Sequence, residues 1–167
     1  MPFAPGWVGW AWYDLGETQE QTVLTSCDAL TGFVEETLRR LGLTRDRVLV
    51  MGFSQGAVMA LHTGLSSPKA FAGVVAMSGH LPAADTLLPL LPQRLDRQVL
   101  VVHGTQDETL PIERGRRIRD LLNKAGLHPE YHEFQMGHQI TAESLSVVRE
   151  FVLRVLPPVG SAPMSMS

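Results

Sequence analysis

Short apolar runs alternate with helical segments along this chain, and that alternation restricts the fold more than any other feature. The runs are short and continuously hydrophobic, which is typical of strands buried on both faces. Strands that alternate with helices form a parallel sheet joined by right-handed crossovers. The predicted strands are 47–53, 71–79, 98–104 and 130–134, the last of them polar enough for a sheet edge. The sequence therefore predicts the α/β class, with a mainly parallel sheet of about four strands flanked by helices.

The three longest helical segments each have one apolar face. The longest begins near Thr18, where Thr18 and Gln21 match a capping box, and is expected to end at Gly42. Cys27 lies on its apolar face and is interpreted as a buried small residue rather than a reactive thiol. The other predicted helices are 55–65, 111–126 and 141–156. The residues expected on the inner faces of the three longest helices are Val23, Cys27, Leu30, Val34, Leu38 and Leu41; Ile112, Gly115, Ile118, Leu122 and Ala125; and Leu145, Val148, Val152 and Val155.

Composition and charge narrow the possible functions. The net charge of the 167 residues is −3 and no basic block occurs, which argues against nucleic acid as a partner. The apolar stretches are too short to span a bilayer, and the start of the chain lacks the pattern of a signal peptide. One cysteine rules out an internal disulfide and fits a reducing compartment, so we expect a cytoplasmic protein. We also expect a single domain over 1–156 and a flexible tail over 157–167.

A serine lies between glycines directly after the first apolar run, in the sequence GFSQG at 52–56. The pattern G-x-S-x-G alone is weak evidence, since a chain of this length meets it by chance about one time in twenty. A strand before it and a helix after it strengthen the case, because that tight turn lifts the hydroxyl off the sheet. Gly52 and Gly56 are expected to supply the room for the turn. Ser54 is therefore a candidate nucleophile, and the Gln55 N–H is a candidate donor to an oxyanion.

A serine nucleophile needs a base and an orienting acid, and both residue types follow later strands. Asp107 comes shortly after the strand at 98–104, and His138 comes shortly after the strand at 130–134. Because the carboxyl ends of parallel strands meet at one edge of a sheet, we expect the three side chains to lie together. Two simpler alternatives are that Asp107 caps the next helix and that His138 is a surface residue.

The other histidines lack this arrangement. His62 lies in the middle of a helix, and His103 ends a strand beside Gly104, where we expect it to be a packed residue. No matching acid at a strand end accompanies His80, His128 or His132. None of the histidines has the spacing of metal ligands, so no metal site is predicted.

Four segments of the chain resemble the phospholipase/carboxylesterase family of α/β-hydrolases, which includes acyl-protein thioesterases. They are AWYDL, VLVMGFSQGAVMAL, VLVVHGTQDETLPIERGRRIRDLLNKAG and MGHQI, and the resemblance extends over about residues 3–156. It implies an α/β-hydrolase with Ser54 as nucleophile, Asp107 as acid and His138 as base. It also implies that no cofactor is needed and that the substrates are carboxylic esters or thioesters, often with apolar acyl groups.

The resemblance also implies that the chain is short at its N-terminus. In the family, several more strands precede the segment like AWYDL, and one ends in a His-Gly-rich loop that supplies half of the oxyanion hole. Here that segment begins ten residues after Met1, and the only His-Gly pair, at 103–104, belongs to the acid loop. We therefore expect the triad and the Gln55 N–H without the usual second donor. Loss of one such donor costs about 2.7–4 kcal/mol of transition-state stabilisation.

Together these features favour a serine carboxylesterase that acts on small to medium acyl esters. We expect the acyl group to lie against Trp12, Leu81 and the stretch LPAADTLLPLLP at 81–92, although ordinary packing of that stretch explains it equally well. One alternative is a thioesterase or lysophospholipase of the same family. Another is a non-catalytic remnant that binds a partner or ligand. Activity that depends on a neutral His138 should fall at acidic pH with a single protonation.

The sequence finally predicts self-association. In the family that the chain resembles, a further strand pairs with the one that leads into the nucleophile. The resemblance therefore implies that the run at 47–53 is an open apolar edge, and such an edge is a template for pairing with another chain. The helix at 141–156 is expected to cover one face of the sheet largely alone, which leaves apolar area exposed. We therefore expect a homodimer or higher homo-oligomer. Alternatively, the segment 1–17, with Trp7, Trp10 and Trp12, folds over the edge.

Overall fold

Residues 10–93 and 96–158 are described in the computed structural model of the chain, and they contain one four-stranded sheet with helices on both faces. Short 3-10 turns occupy Arg45–Arg47 and Leu88–Gln93. The other elements, in chain order, are α1 (Gln19–Leu41), β1 (Leu49–Phe53), α2 (Gln55–Ser66), β2 (Gly73–Met77), α3 (Ala84–Leu87), β3 (Val99–Gly104), α4 (Glu113–Lys124), β4 (Glu130–Phe134) and α5 (Ala142–Val155).

The four strands are parallel and lie side by side in the order β1-β2-β3-β4. Gly52 of β1 faces Ala76 of β2, and Val101 of β3 faces Tyr131 of β4. The central strands β2 and β3 are buried throughout, whereas β1 and β4 at the edges are only partly buried. This confirms the predicted α/β fold class and the position of the polar strand 130–134 at an edge.

Two apolar clusters hold the helices against the sheet. On one face, α2 and α4 pack on β2 and β3; the buried residues include Leu61, Leu65, Val74, Val101, Ile118 and Leu122. On the other face α5 is the one helix among the described residues that packs on the sheet; the buried residues include Val75, Met77, Leu100, Val102, Val148 and Phe151. Helix α1 packs on α2 through a third cluster, which contains Val23, Cys27, Val58 and Met59. The interpretation of Cys27 as a buried packing residue is confirmed.

Of the local predictions about α1, one is confirmed and two need correction. Its end at Gly42 is confirmed, since Gly42 adopts the left-handed conformation with φ 63°. The capping box is wrong, because the Thr18 side chain makes no cap hydrogen bond; instead Thr22 Oγ1 donates to Thr18 O. Leu41 was expected on the inner face, but it is 65% exposed. It is the last residue of α1, where the side chain is left largely uncovered.

The predicted inner face of α5 is right except at Leu145, since Val152 and Val155 are partly buried against the cluster that contains Val148. Val148 is buried as expected, but Leu145 is 50% exposed, and Phe151 takes the central place in the core. Leu145 lies at the margin of the stripe that Val148 and Phe151 define, so the helix turns it toward solvent. Residues 1–9, which include Trp7, and 159–167 of the predicted tail lie outside the described residues.

Candidate active site

Ser54 alone forms the turn between β1 and α2. Its backbone has φ 55° and ψ −120°, a conformation that residues with a side chain rarely adopt. The Ser54 N–H donates to Met77 O at the end of β2, at 3.0 Å, and so ties the turn to the neighbouring strand. The constrained turn brings the hydroxyl to the carboxyl end of the sheet.

The two glycines of the motif contribute differently to this turn. A Cβ on Gly52 would lie 2.0 Å from Gly56 O, so β1 and α2 approach this closely only with glycine at 52. A Cβ on Gly56 would meet nothing within 4 Å. The prediction that both positions need room for a missing side chain is therefore wrong for Gly56, because only its backbone faces the strand.

His138 lies in the loop after β4 and contacts both of the other predicted residues. Its Nε2 is 3.0 Å from Ser54 Oγ, and its Nδ1 is 2.7 Å from Asp107 Oδ2. A carboxylate only accepts hydrogen bonds, so Nδ1 carries the proton and Nε2 is left to accept from the serine hydroxyl. The ring of Phe53 packs on the imidazole with 4.7 Å between centroids. The structure thus brings Ser54, His138 and Asp107 into one hydrogen-bonded chain.

Asp107 is buried and held by the backbone that follows it. Its Oδ1 accepts from Thr109 N–H at 3.0 Å and from Leu110 N–H at 2.8 Å, while Oδ2 faces His138. Burial alone would raise the pKa of this carboxyl, but the hydrogen bonds from Leu110, His138 and Thr109 outweigh burial and lower the pKa below its ordinary value. The N-cap of α4 is Ile112, so the alternative in which Asp107 caps that helix is wrong.

The acid loop and the histidine loop touch through their backbones at Gly104. A Cβ on Gly104 would lie 2.2 Å from Met136 O and 2.7 Å from Gly137 O. Thr105 N–H donates to Phe134 O and Gln106 N–H donates to Met136 O, which fastens the two loops together. The spacing between Asp107 and His138 is therefore set by main-chain packing rather than by side chains alone.

Gln55 joins the turn to the segment that contains Trp12. Its Oε1 accepts from Trp12 N–H at 3.0 Å, and its Nε2 donates to Tyr13 O at 3.2 Å. Its backbone N–H lies in the first turn of α2, where helix amides have no partner inside the helix. Trp12 is 47% exposed and lines an apolar groove of about 460 Å³; the other lining residues are Ala11, Ser26, Ala29, Leu30 and Phe33.

The Leu-Pro-rich stretch 81–92 serves mainly as core. Leu87 and Leu91 are fully buried in the cluster beneath α2, so ordinary packing explains those two residues. Leu81 is partly buried against the same cluster and lies close to the carboxyl end of β2.

The remaining histidines have other partners. His62 and His103 are buried and bond backbone carbonyls, and the prediction that His103 is a packed residue is confirmed. His80 lies 3.2 Å from the Gln19 side-chain nitrogen, and burial lowers its pKa, with Arg114 and His62 adding to the effect. His132 does have an acidic partner, Glu130, at the start of the same strand, which was not predicted because only acids after the carboxyl ends of strands were considered candidates.

Three contributions to the site were not found from the sequence. They are the Phe53 ring, the Gln55 side chain and the two amides at 109 and 110. An aspartate that accepts from the amides two and three residues later is a known turn pattern, so the last of these had a readable signal. The other two depend on packing between distant segments and had none.

The described residues contain neither a metal-binding cluster nor a membrane-spanning helix. No group of three or more His, Cys, Asp and Glu side chains in 10–93 and 96–158 could hold a metal ion. In the same part of the chain no helix has the length and hydropathy needed to cross a membrane.

The sheet, its helices and the turn at Ser54 define an α/β-hydrolase fold. Solved structures with this fold are similar to the chain. SOBER1 of Arabidopsis thaliana has a TM-score of 0.80 at 24% identity, and the match covers 87% of this chain and 74% of the SOBER1 chain. Esterase PE8 has a TM-score of 0.72 at 26% identity, with 86% and 68% covered. Carboxylesterase of Bacillus cereus has a TM-score of 0.73 at 21% identity, with 87% and 68% covered.

The chain belongs to the phospholipase/carboxylesterase family, whose family model matches residues 3–156. Acyl-protein thioesterase 1 of Neurospora crassa is 30% identical over 123 residues, which are 71% of this chain and 50% of the relative. The protein of the same name from Schizosaccharomyces pombe is 30% identical over 156 residues, 87% and 69% of the two chains. The chain spans about half the length of its relatives from Neurospora crassa and Gibberella zeae.

Proposed function

We propose that this protein is a serine carboxylesterase that hydrolyses small to medium acyl esters through an acyl-enzyme. The observation that carries the proposal is the unbroken hydrogen-bonded path from Ser54 Oγ to His138 at 3.0 Å and from His138 to Asp107 at 2.7 Å. The location of Ser54 on a strained strand-to-helix turn supports the same conclusion, because nucleophile turns of this kind store backbone strain.

In the proposed mechanism Ser54 Oγ attacks the ester carbonyl carbon while His138 Nε2 takes the hydroxyl proton. The Asp107 carboxylate holds Nδ1–H and stabilises the imidazolium that forms. The Gln55 N–H donates to the negatively charged oxygen of the tetrahedral intermediate. His138 then returns the proton to the leaving alcohol. A water molecule, activated by the same imidazole, releases the acid and restores the serine.

We further propose Trp12 and Leu81 as contacts of the acyl group. Trp12 presents a half-exposed ring, and its backbone is tied to Gln55, the residue next to the nucleophile. Leu81 lies on the loop after β2, near the same end of the sheet. Apolar acyl groups are stabilised against such side chains by about 0.8 kcal/mol for each methylene removed from water.

A thioesterase or lysophospholipase is the alternative within the same family, since relatives named acyl-protein thioesterase are among those the chain resembles. The proposed machinery attacks either carbonyl. A panel of oxygen esters and thioesters with matched acyl chains separates the two, because it measures the preference directly as a ratio of kcat/KM values.

The test of the proposal is hydrolysis of a short aryl ester by the wild type and by Ser54→Ala. We expect the Ser54→Ala rate to fall by more than about a thousandfold. His138→Ala should fall similarly. His128→Ala is the matched control, because His128 bonds Asn123 on the surface. Equal rates for wild type and Ser54→Ala would refute the triad and favour the non-catalytic remnant.

A further inference from the structure

A second histidine, His103, lies next to the proposed acid and has no place in the mechanism above. It is the penultimate residue of β3, and its side chain is completely buried. A histidine buried this deeply needs a reason, because an apolar residue would fill the same space without polar atoms to satisfy. The contacts of its ring supply that reason.

The His103 ring holds the end of the turn that wraps Asp107. Its Nε2 lies 2.8 Å from Leu110 O, and because a carbonyl only accepts, Nε2 carries the proton and donates. Leu110 N–H in turn donates to Asp107 Oδ1 at 2.8 Å. His103 therefore fixes Leu110 from one side while Leu110 fixes the carboxylate from the other.

The same nitrogen lies close to the oxygen that faces the base. His103 Nε2 is 3.7 Å from Asp107 Oδ2, which accepts from His138 Nδ1 at 2.7 Å. This separation is too long for a hydrogen bond, so the ring does not compete with His138 for the carboxylate. Its N–H dipole instead presents positive charge to an oxygen that must stay ionised.

Helix α4 fixes the ring in this position. A Cβ on Gly115 would lie 2.6 Å from His103 Nδ1 and 2.8 Å from its Cγ, so the helix backbone packs directly on the imidazole. Nδ1 has no hydrogen-bond partner within residues 10–93 and 96–158. One polar atom of the ring is thus left unsatisfied while Nε2 keeps its bond to Leu110.

We propose that His103 is a positioning residue for the Ser54 site: through Leu110 it holds the Asp107 carboxylate in the geometry that orients His138. The ring touches neither substrate nor nucleophile in this role. Its loss should therefore lower kcat and leave KM unchanged, since misplacement of the acid affects the transition state and not substrate binding.

The test compares two variants of His103 whose side chains end in the same amide group but differ in length. In His103→Gln the amide nitrogen takes the place of Nε2 and can still donate to Leu110 O, whereas the shorter side chain of His103→Asn cannot reach it. We expect kcat of His103→Asn to fall roughly ten- to a hundredfold with unchanged KM, and kcat of His103→Gln to be largely restored. His103→Leu, which fills the space without a donor, should resemble His103→Asn. Equal kcat for the Gln, Asn and wild-type proteins would overturn the inference.

The kinetic comparison rests on the proposed function, so a second readout is independent of hydrolysis. A histidine N–H bonded to a carboxylate gives a far-downfield proton resonance, which is assigned here by its loss in His138→Ala. We expect this resonance in wild type and His103→Gln, and its loss or shift in His103→Asn and His103→Leu. A wild type that hydrolyses nothing but shows this pattern would refute the esterase and support the positioning role. An unaltered resonance in the Asn and Leu variants, or none in wild type, would overturn the positioning role.

Discussion

Among single residues, Ser54, His138 and Asp107 are held within hydrogen-bonding distance of one another by contacts between separate segments of the chain. Their proximity was predicted because each follows the end of a strand closely, and parallel strands end at a common edge. The distances among them depend on contacts that no local pattern reveals. Gly104 against Met136 O and His103 against Leu110 O join segments that are far apart in sequence or separated by a turn.

Gly52 and Gly56 should respond differently to alanine. At Gly52 the added Cβ would overlap the Gly56 carbonyl, so we expect Gly52→Ala to cost about 1–3 kcal/mol of unfolding free energy or more and to displace Ser54. Gly56→Ala enters open space in a helix and should be neutral or stabilising by up to about 1 kcal/mol. Denaturant unfolding of both variants checks this, and equal losses of stability would contradict the account of the turn.

The lowered pKa of Asp107 predicts how its contribution to stability changes with pH. The pKa of Asp107 is lower in the folded protein than its unfolded value of about 3.9. The ionised carboxylate therefore stabilises the fold at pH values above about 3.9. The contribution is lost as pH falls through the folded-state pKa. The difference in unfolding free energy between wild type and Asp107→Asn should thus be largest near neutral pH and shrink below about pH 4. A difference that does not change with pH would count against an ionised, hydrogen-bonded Asp107.

At the scale of elements, periodicity predicted the strands and helices but not every surface they bury. The stripe of α4 was right at Ile118 and Leu122, since both lie in the core beneath the sheet. The apolar face of α5 was wrong at Leu145, because Phe151 rather than Leu145 is buried against the sheet. Which of these side chains is buried depends on the partner surface, which the sequence of the helix does not contain.

The link between α2 and the segment 12–13 gives a prediction about substrate size. Gln55→Leu keeps the backbone N–H of α2 but removes both hydrogen bonds to Trp12 and Tyr13. We expect kcat/KM for a medium-chain ester to fall about fivefold, and to change less for an acetyl ester that does not reach Trp12. Gln21→Leu, on the exposed side of α1, is the control. Equal effects on both esters would argue against Trp12 as an acyl contact.

At the level of the whole molecule, strand β1 forms one edge of the sheet in the described part of the chain and carries an exposed apolar side chain. Within the described residues β1 has β2 as its single strand neighbour, and Met51 on it is 48% exposed. Phe33, Trp10 and Trp12 are further exposed apolar residues. The open edge was predicted from the resemblance, because in that family a further strand pairs with the one that leads into the nucleophile turn.

We expect a homodimer that covers this edge, with two sheets joined antiparallel along β1. Light scattering at micromolar concentration should give about twice the mass of one chain. Met51→Lys should shift the protein toward monomer by placing a charge on the seam, while Leu153→Lys on α5, 44% exposed in the wild type, should not. A monodisperse wild-type monomer would refute the dimer and leave the N-terminal segment as the cover of the edge.

Covalent labelling tests whether Ser54 is a nucleophile that His138 activates. A serine-directed fluorophosphonate, followed by mass spectrometry and peptide mapping, should place one equivalent of label on Ser54 of the wild type. Label should be absent from Ser54→Ala and slowed more than about a thousandfold in His138→Ala, with His128→Ala like wild type. If folded wild-type protein takes up no label, Ser54 is not an activated nucleophile. If His138→Ala does not affect the labelling of Ser54, His138 is not its base.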